Sequence, residues 1–197
     1  MIVDNFTFKE DISVFKIFGR EDHIPILINK LYELKDQDNQ SDGYSNIKGW
    51  QKEINNMVDY LHIRTMIMNE FVNYFQKNIG DFNMEVSIVK FFANINPPGA
   101  SHVMHDHEGG QYSGAYWLQG DKNAGNIMIM NPYPNTFINT FCHRRTRDKN
   151  SYNCLKIPPE PNTGIFFNSN LIHYVDVNRS TKDRIGLGFH LHLKEKI

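Results

Sequence analysis

The chain has 197 residues, 40 % of them apolar and 13 % aromatic, enough to bury one substantial core without disulfide or metal staples. Twenty-one basic residues stand against 22 acidic ones, a formal net charge of −1 that gives no electrostatic basis for bulk nucleic-acid or membrane binding. Cys142 and Cys154 lack metal-ligand spacing, no secretory signal opens the chain, and no apolar run approaches the ~18 residues that span a bilayer, so a cytoplasmic protein with reduced thiols is expected.

Residues 6–18 alternate well enough to predict one or two strands before Gly19. Pro25 then stands in the first turn of a predicted helix that runs through Leu34, and residues 36–49, rich in Asp, Asn, Gln, Ser and Gly, read as a loop. Ile54, Met57, Val58, Leu61, Met68, Phe71, Val72, Phe75 and Ile79 recur at three- and four-residue steps until Gly80, which predicts a second helix covering a sheet. From Met84 the pattern changes to short β-like runs at 85–95, 101–107, 113–119, 125–131, 152–157, 164–167, 171–177 and 184–193, separated by Pro, Gly and Asn turn signals. Strands so spaced after helices predict a mainly β chain, a cupin-like jelly roll with N-terminal helices packed on its larger sheet. The reading is of one domain over 1–197, with supporting strands and helices in 1–80 and the jelly-roll core in 84–193. The connection 132–151 is long for a hairpin and carries His143, Arg144, Arg145 and Arg147, read as a solvated loop.

The last run fixes the orientation. Ile185, Leu187, Phe189, Leu191 and Leu193 share one parity and should pack under the helices; Arg184, Gly186, Gly188, His190 and His192 share the other and should face the interior of the roll. A buried arginine and histidine are costly without an anion or a metal, so this face predicts a ligand pocket. Three of the nine histidines fall in 102–107. His105 and His107, spaced i, i+2, leave one face of a strand and can offer two imidazoles to one metal ion. His173 arrives from a later strand as a third ligand, and Arg184 follows it by 11 residues across a turn. A guanidinium there can hold a dicarboxylate in a bidentate pair. His102 is off the parity of His105 and reads as a loop or supporting residue, with His190 and His192 on the barrel wall or rim.

In this order and spacing, the segment from about residue 45 to the end resembles the iron(II)/2-oxoglutarate-dependent dioxygenases, most of all a compact set found in phages and marine bacteria. The pieces that carry the resemblance begin with Ser45–Gln51, Asn94-Ile95-Asn96 before Gly99, His105-Asp106-His107 and Ser113–Leu118. They continue with Gly125-Asn126-Ile127, Asn131-Pro132, Gly164–Phe167, His173 and Arg184–Phe189. The resemblance implies a double-stranded β-helix, Fe(II), 2-oxoglutarate and O₂, with succinate and CO₂ as co-products, and the cytoplasm of a host cell if the chain comes from a phage. It places His105 and His173 as iron ligands and Arg184 against the 5-carboxylate of 2-oxoglutarate. The third ligand is read as His107, as in the phage-like set, with Asp106 kept open as the alternative, since the wider superfamily has Asp or Glu at the position of His107. Gly186 stands where many relatives carry a serine beside the 2-oxoglutarate carboxylate. Trp117 stands where many have a tyrosine, leaving Tyr116 or another phenol to take that part.

Three functions compete at this point: a 2-oxoglutarate-dependent hydroxylase, a three-histidine cupin dioxygenase that does without 2-oxoglutarate, and a non-catalytic metal-binding or structural module on the same fold. The substrate, whether a peptidyl residue, an amino acid or a small metabolite, has no readable code in the chain.

Overall fold

The larger sheet owes its place to residues that alternate between two apolar layers, and to helices that cover one of them. The computed structural model describes residues 12–19, 21–79, 83–132 and 154–196. Strand β1 (Ser13–Lys16) leads to helix α1 (His23–Gln37), then the short strands β2 (Asn46–Ile47) and β3 (Trp50–Glu53). A 3₁₀ turn (Val58–Tyr60) runs into helix α2 (Leu61–Ile79). The remaining strands are β4 (Met84–Asn96), β5 (Ser101–His105), β6 (Tyr112–Gln119), β7 (Ile127–Met130), β8 (Cys154–Ile157), β9 (Thr163–Asn168), β10 (His173–Val175) and β11 (Arg184–Glu195). Residues 1–11, 20, 80–82, 133–153 and 197 lie outside the described residues, and with them the first half of the strand prediction over 6–18, Gly80, Cys142, His143 and the arginines 144, 145 and 147.

Pro25 sits in the first turn of α1, where its missing N–H leaves no intrahelical bond unmade, and Ile24, Leu27 and Leu31 form the buried face. The helix predicted from Ile54 begins at Leu61 instead. Ile54 donates its N–H to Phe91 O (2.8 Å), and Asn55 Oδ1 accepts the N–H of Phe91 (2.6 Å). The 54–55 backbone therefore prolongs the pairing of β3 with β4 rather than opening a helix. Val58, 77 % exposed, belongs to no apolar stripe. Within α2, Ile63, Ile67, Phe71 and Phe75 recur every four residues and are buried.

All strand pairs are antiparallel, in a six-stranded sheet ordered β1-β9-β6-β11-β4-β3 and a five-stranded sheet ordered β2-β5-β10-β7-β8. The helices close the outer face of the first sheet over a core that includes Leu31, Ile67, Phe71, Phe91, Tyr116, Phe166, Leu187 and Phe189. A second, smaller cluster between the sheets joins Trp117, Ile127, Ile129, Ile157, Ile165, Phe167 and Leu171. Successive residues of β9 thus serve different cores: Phe166 faces the helices, Ile165 and Phe167 the other sheet. The apolar row of β11 packs under the helices as its parity predicts, with Ile185, Leu187, Phe189 and Leu191 at most 1 % exposed. This is the jelly-roll architecture expected from the strand spacing.

Phe166 stacks on Phe15 (centroids 4.3 Å apart) and meets Phe71 edge-on at 5.1 Å, so it joins the first strand, a helix and the sheet. Phe166→Ala should cost about 3–5 kcal/mol, read as a lower midpoint in urea with an unchanged slope. A loss below about 1 kcal/mol would show that this junction is not tightly packed.

Candidate active site

His105 on β5 lies directly across from His173 on β10, with ring centroids 4.3 Å apart. His107 follows the end of β5. Its N–H donates to Ser169 O (2.9 Å), and this bond holds the chain so that the ring lies 5.0 Å from His105 and 4.9 Å from His173. One nitrogen of each ring falls within 4.8 Å of the others. Among the described residues the cluster consists of these three histidines; Asp106 lines the same cavity as an exposed carboxylate and is not a member.

The tautomers follow from the partners. Nδ1 of His105 bonds Val103 O (2.7 Å) and Nδ1 of His173 bonds Leu171 O (2.8 Å). A carbonyl only accepts, so both Nδ1 atoms carry the proton and both Nε2 atoms keep their lone pair, the arrangement a metal-ligating imidazole needs. Burial keeps the His173 ring neutral. It pulls the pKa of His173 down to about 4, with the neighbouring histidines adding to it and the Leu171 carbonyl opposing. His107 is brought down to about 2 by burial, then by His190 and His173.

Arg184, 3 % exposed, opens β11 at the other end of the cavity. Its Nη1 donates to the carbonyls of Ala124 (2.6 Å), Asp176 (3.2 Å) and Gly125 (3.4 Å). Gly125 has φ +88°, and a Cβ there would strike the Asp176 carbonyl and Arg184 Nη1, so this seat requires glycine. Nη2 is buried with no hydrogen-bond partner among the described residues. The guanidinium pKa falls to about 10 through burial, opposed by Asp176. A cation so placed calls for an anion. The cavity between arginine and histidines measures about 550 Å³, with Trp117, Ile127, Phe167 and Val175 on its walls.

The structure corrects one reading and finds a residue that spacing missed. Tyr116 does not face the cavity. Its ring is fully buried in the helix-covered core and its hydroxyl donates to Asn162 Oδ1 (3.2 Å), because parity on β6 sends 116 outward and Trp117 inward. Nη1 of Arg184 is engaged by carbonyls, so the side of the guanidinium that carries Nη2 is the one left for a ligand. His102 enters the cavity despite its parity. Four residues of β5, from His102 to His105, oppose three of β10, from His173 to Val175, and this bulge turns His102 inward. There its ring nitrogens bond Ser45 Oγ and Asn96 Oδ1, each at 3.3 Å, and burial with the nearby Arg184 lowers its pKa to about 3. His190 also lines the cavity, 4.4 Å from His107 by ring centroids, with a buried Nε2 that no described residue partners. His192 is exposed beyond the cavity end of β11.

The sequence profile of the 2OG-Fe(II) oxygenase family matches residues 90–190, more than half of the chain. The chain belongs to this family. No curated protein sequence matches the oxygenase, while many solved structures share its fold. A prolyl-4-hydroxylase from Pseudomonas putida is 12 % identical, with 95 % of this chain and 94 % of that one covered and a TM-score of 0.64. EctD from S. alaskensis, solved with 2-oxoglutarate and 5-hydroxyectoine, is 15 % identical over 93 % of this chain and 72 % of its own, with a TM-score of 0.62. The α-ketoglutarate-dependent epimerase SnoN of nogalamycin biosynthesis is 8 % identical over 93 % and 78 %, with a TM-score of 0.65. The oxygenase uses Fe(II) and 2-oxoglutarate, and its cavity fits both. Three converging imidazole nitrogens suit a divalent iron, and Nη2 of Arg184, unpartnered among the described residues, suits the far carboxylate of a keto diacid.

The depressed histidines make the metal-free protein acid-sensitive. His102, His107, His173 and His190 all have pKa values lowered from the ordinary 6.5, so below that pH the unfolded chain takes up protons that the fold refuses. Stability should fall as pH drops from about 6.5 toward about 4, the pKa of His173 and His190. Thermal melts from pH 7 to pH 5 should show a steadily falling midpoint, and a flat one would contradict the neutral burial of these rings.

Proposed function

We propose that this oxygenase hydroxylates a C–H bond, with Fe(II) held by His105, His107 and His173 and 2-oxoglutarate held at its 5-carboxylate by Arg184. The observation that carries this reading is the unpartnered Nη2 of Arg184, buried in the cavity that also receives the three histidines. Bound there, iron and 2-oxoglutarate supply the oxidising power that puts one atom of O₂ into the substrate and the other into succinate, with CO₂ released.

The rest is the work of the chain's own groups. Arg184 orients the co-substrate, and its seat on three carbonyls prevents it from swinging away. Trp117, Ile127, Phe167 and Val175 keep water from the space between. His105 and His173 are fixed in their metal-binding tautomer by backbone carbonyls, so no proton need leave Nε2 when metal enters. Asp42, Glu53 and Asp106 line the cavity together with Lys90 and the aromatic rings of Tyr44 and Phe92. Groups of both signs beside aromatic faces suit an amino-acid-like substrate, free or within a peptide, better than a polyanion such as nucleic acid.

Protein reconstituted anaerobically with Fe(II) should bind 2-oxoglutarate and, on admission of O₂, form succinate. Failure to bind 2-oxoglutarate under those conditions would overturn the reading. His173→Ala should abolish iron binding with the fold retained by circular dichroism. Asp106→Ala should keep full iron content while His107→Ala loses it; the reverse pattern would make Asp106 the third ligand. Arg184→Lys should weaken 2-oxoglutarate binding about ten-fold or more, because one point charge cannot both occupy the carbonyl seat and reach the ligand.

A further inference from the structure

The cavity floor is a ladder read from strand register. Along β11 the inward residues are Arg184, Gly186, Gly188 and His190, opposite Asn96, Asn94, Phe92 and Lys90 of β4. Gly186 also faces Trp117 of β6, and Asn94 faces Gln51 of β3. Arg184 and His190 are separated by six residues, about 20 Å of strand. His107 lies against His190, so the three histidines sit toward that end, and a diacid chelated there reaches back over Gly186 to meet Arg184. Asn94 flanks that rung.

Two facts make Asn94 more than wall. With Nη1 of Arg184 engaged by three carbonyls, Nη2 is left to meet a carboxylate, whose two oxygens have lone pairs enough for a further donor beside it. Asn94 lines the cavity, and its Oδ1 is buried with no hydrogen-bond partner among the described residues. A half turn about the last side-chain bond exchanges oxygen for NH₂ without changing the shape of the amide. A buried amide oxygen left without a partner is costly, and Gly186, opposite Asn94, adds no side chain of its own to that rung.

We propose that Asn94 is the second group gripping the 5-carboxylate of 2-oxoglutarate, its amide NH₂ donating beside Nη2 of Arg184. This rests on the reading above that 2-oxoglutarate occupies the cavity with that carboxylate on Arg184. Neutral donor and cation together complement one carboxylate, and the amide takes the part for which Gly186 and Trp117 have no hydroxyl.

The test is calorimetric, anaerobic and independent of turnover, on full-length protein loaded with Mn(II). Two ligands are compared: 2-oxoglutarate, and 2-oxopentanoate, which keeps the chelating keto acid and the five-carbon chain but ends in a methyl group. Asn94→Ala should weaken 2-oxoglutarate about ten- to hundred-fold, the loss of one hydrogen bond to a charged group, and leave 2-oxopentanoate and Mn(II) binding unchanged. Asn94→Asp should weaken 2-oxoglutarate further, since two carboxylates would then face each other, and it serves in place of the alanine variant if that one fails to fold. If wild-type protein binds Mn(II) but not 2-oxoglutarate, the underlying reading falls and this one with it. If wild type binds and both variants match it, or both ligands weaken equally in Asn94→Ala, the role given to Asn94 is wrong.

Discussion

Strand β11 is paired along its whole length with β4 and along much of it with β6, so its side chains have two directions available and no edge to escape to. One direction is the helix-covered core, filled by Ile185, Leu187, Phe189 and Leu191. The other is the space between the sheets, where the strand places an arginine, two glycines and a histidine. The apolar row locks the register, because a slip of one residue would drive Arg184 and His190 into the helices and expose four large apolar side chains. The position of the cavity is therefore set by hydrophobic burial on the opposite side of the same strand.

The two ends of the pocket are built on opposite electrostatic principles. At one end a charge is retained in spite of burial, because three backbone carbonyls and the nearby Asp176 compensate it. At the other end charge is suppressed: burial keeps the imidazoles of His107 and His173 neutral. A keto diacid bridging metal and guanidinium matches both ends at once, which neither a simple metal site nor a simple anion site would require. The bulge in β5 adds His102 to the cationic end as a neutral hydrogen-bonding ring, its pKa lowered by burial and by Arg184 itself.

The legible and illegible parts of this site differ by a physical criterion. His105, His107, His173 and Arg184 were readable because each sits on or beside a regular strand, where period-two alternation gives the direction of a side chain. His102 was not, since a bulge cancels parity locally and leaves no mark in composition. Tyr116 was misread by carrying a phenol one place along the strand, although a one-residue step in β structure always changes the face. The start of α2 failed for a related reason: Ile54 and Met57 fit a helical spacing by number, while Ile54 donates to Phe91 O and Asn55 Oδ1 accepts the Phe91 N–H, which holds that stretch to the sheet.

By itself the sequence determined that the chain is mainly β with two covering helices, that β11 has an apolar and a polar face, and that an H-x-H pair, a later histidine and an arginine follow in the order of an iron and 2-oxoglutarate site. Those are consequences of periodicity and order, which are local properties. Only the tertiary structure decided that His107 and not Asp106 joins the cluster, that Nη1 of Arg184 is occupied and Nη2 free, and that Asn94 stands beside the glycine on the arginine's strand. Each of these depends on which strands become neighbours and in what register, and pairing between residues some 90 positions apart is written in no single stretch of the chain.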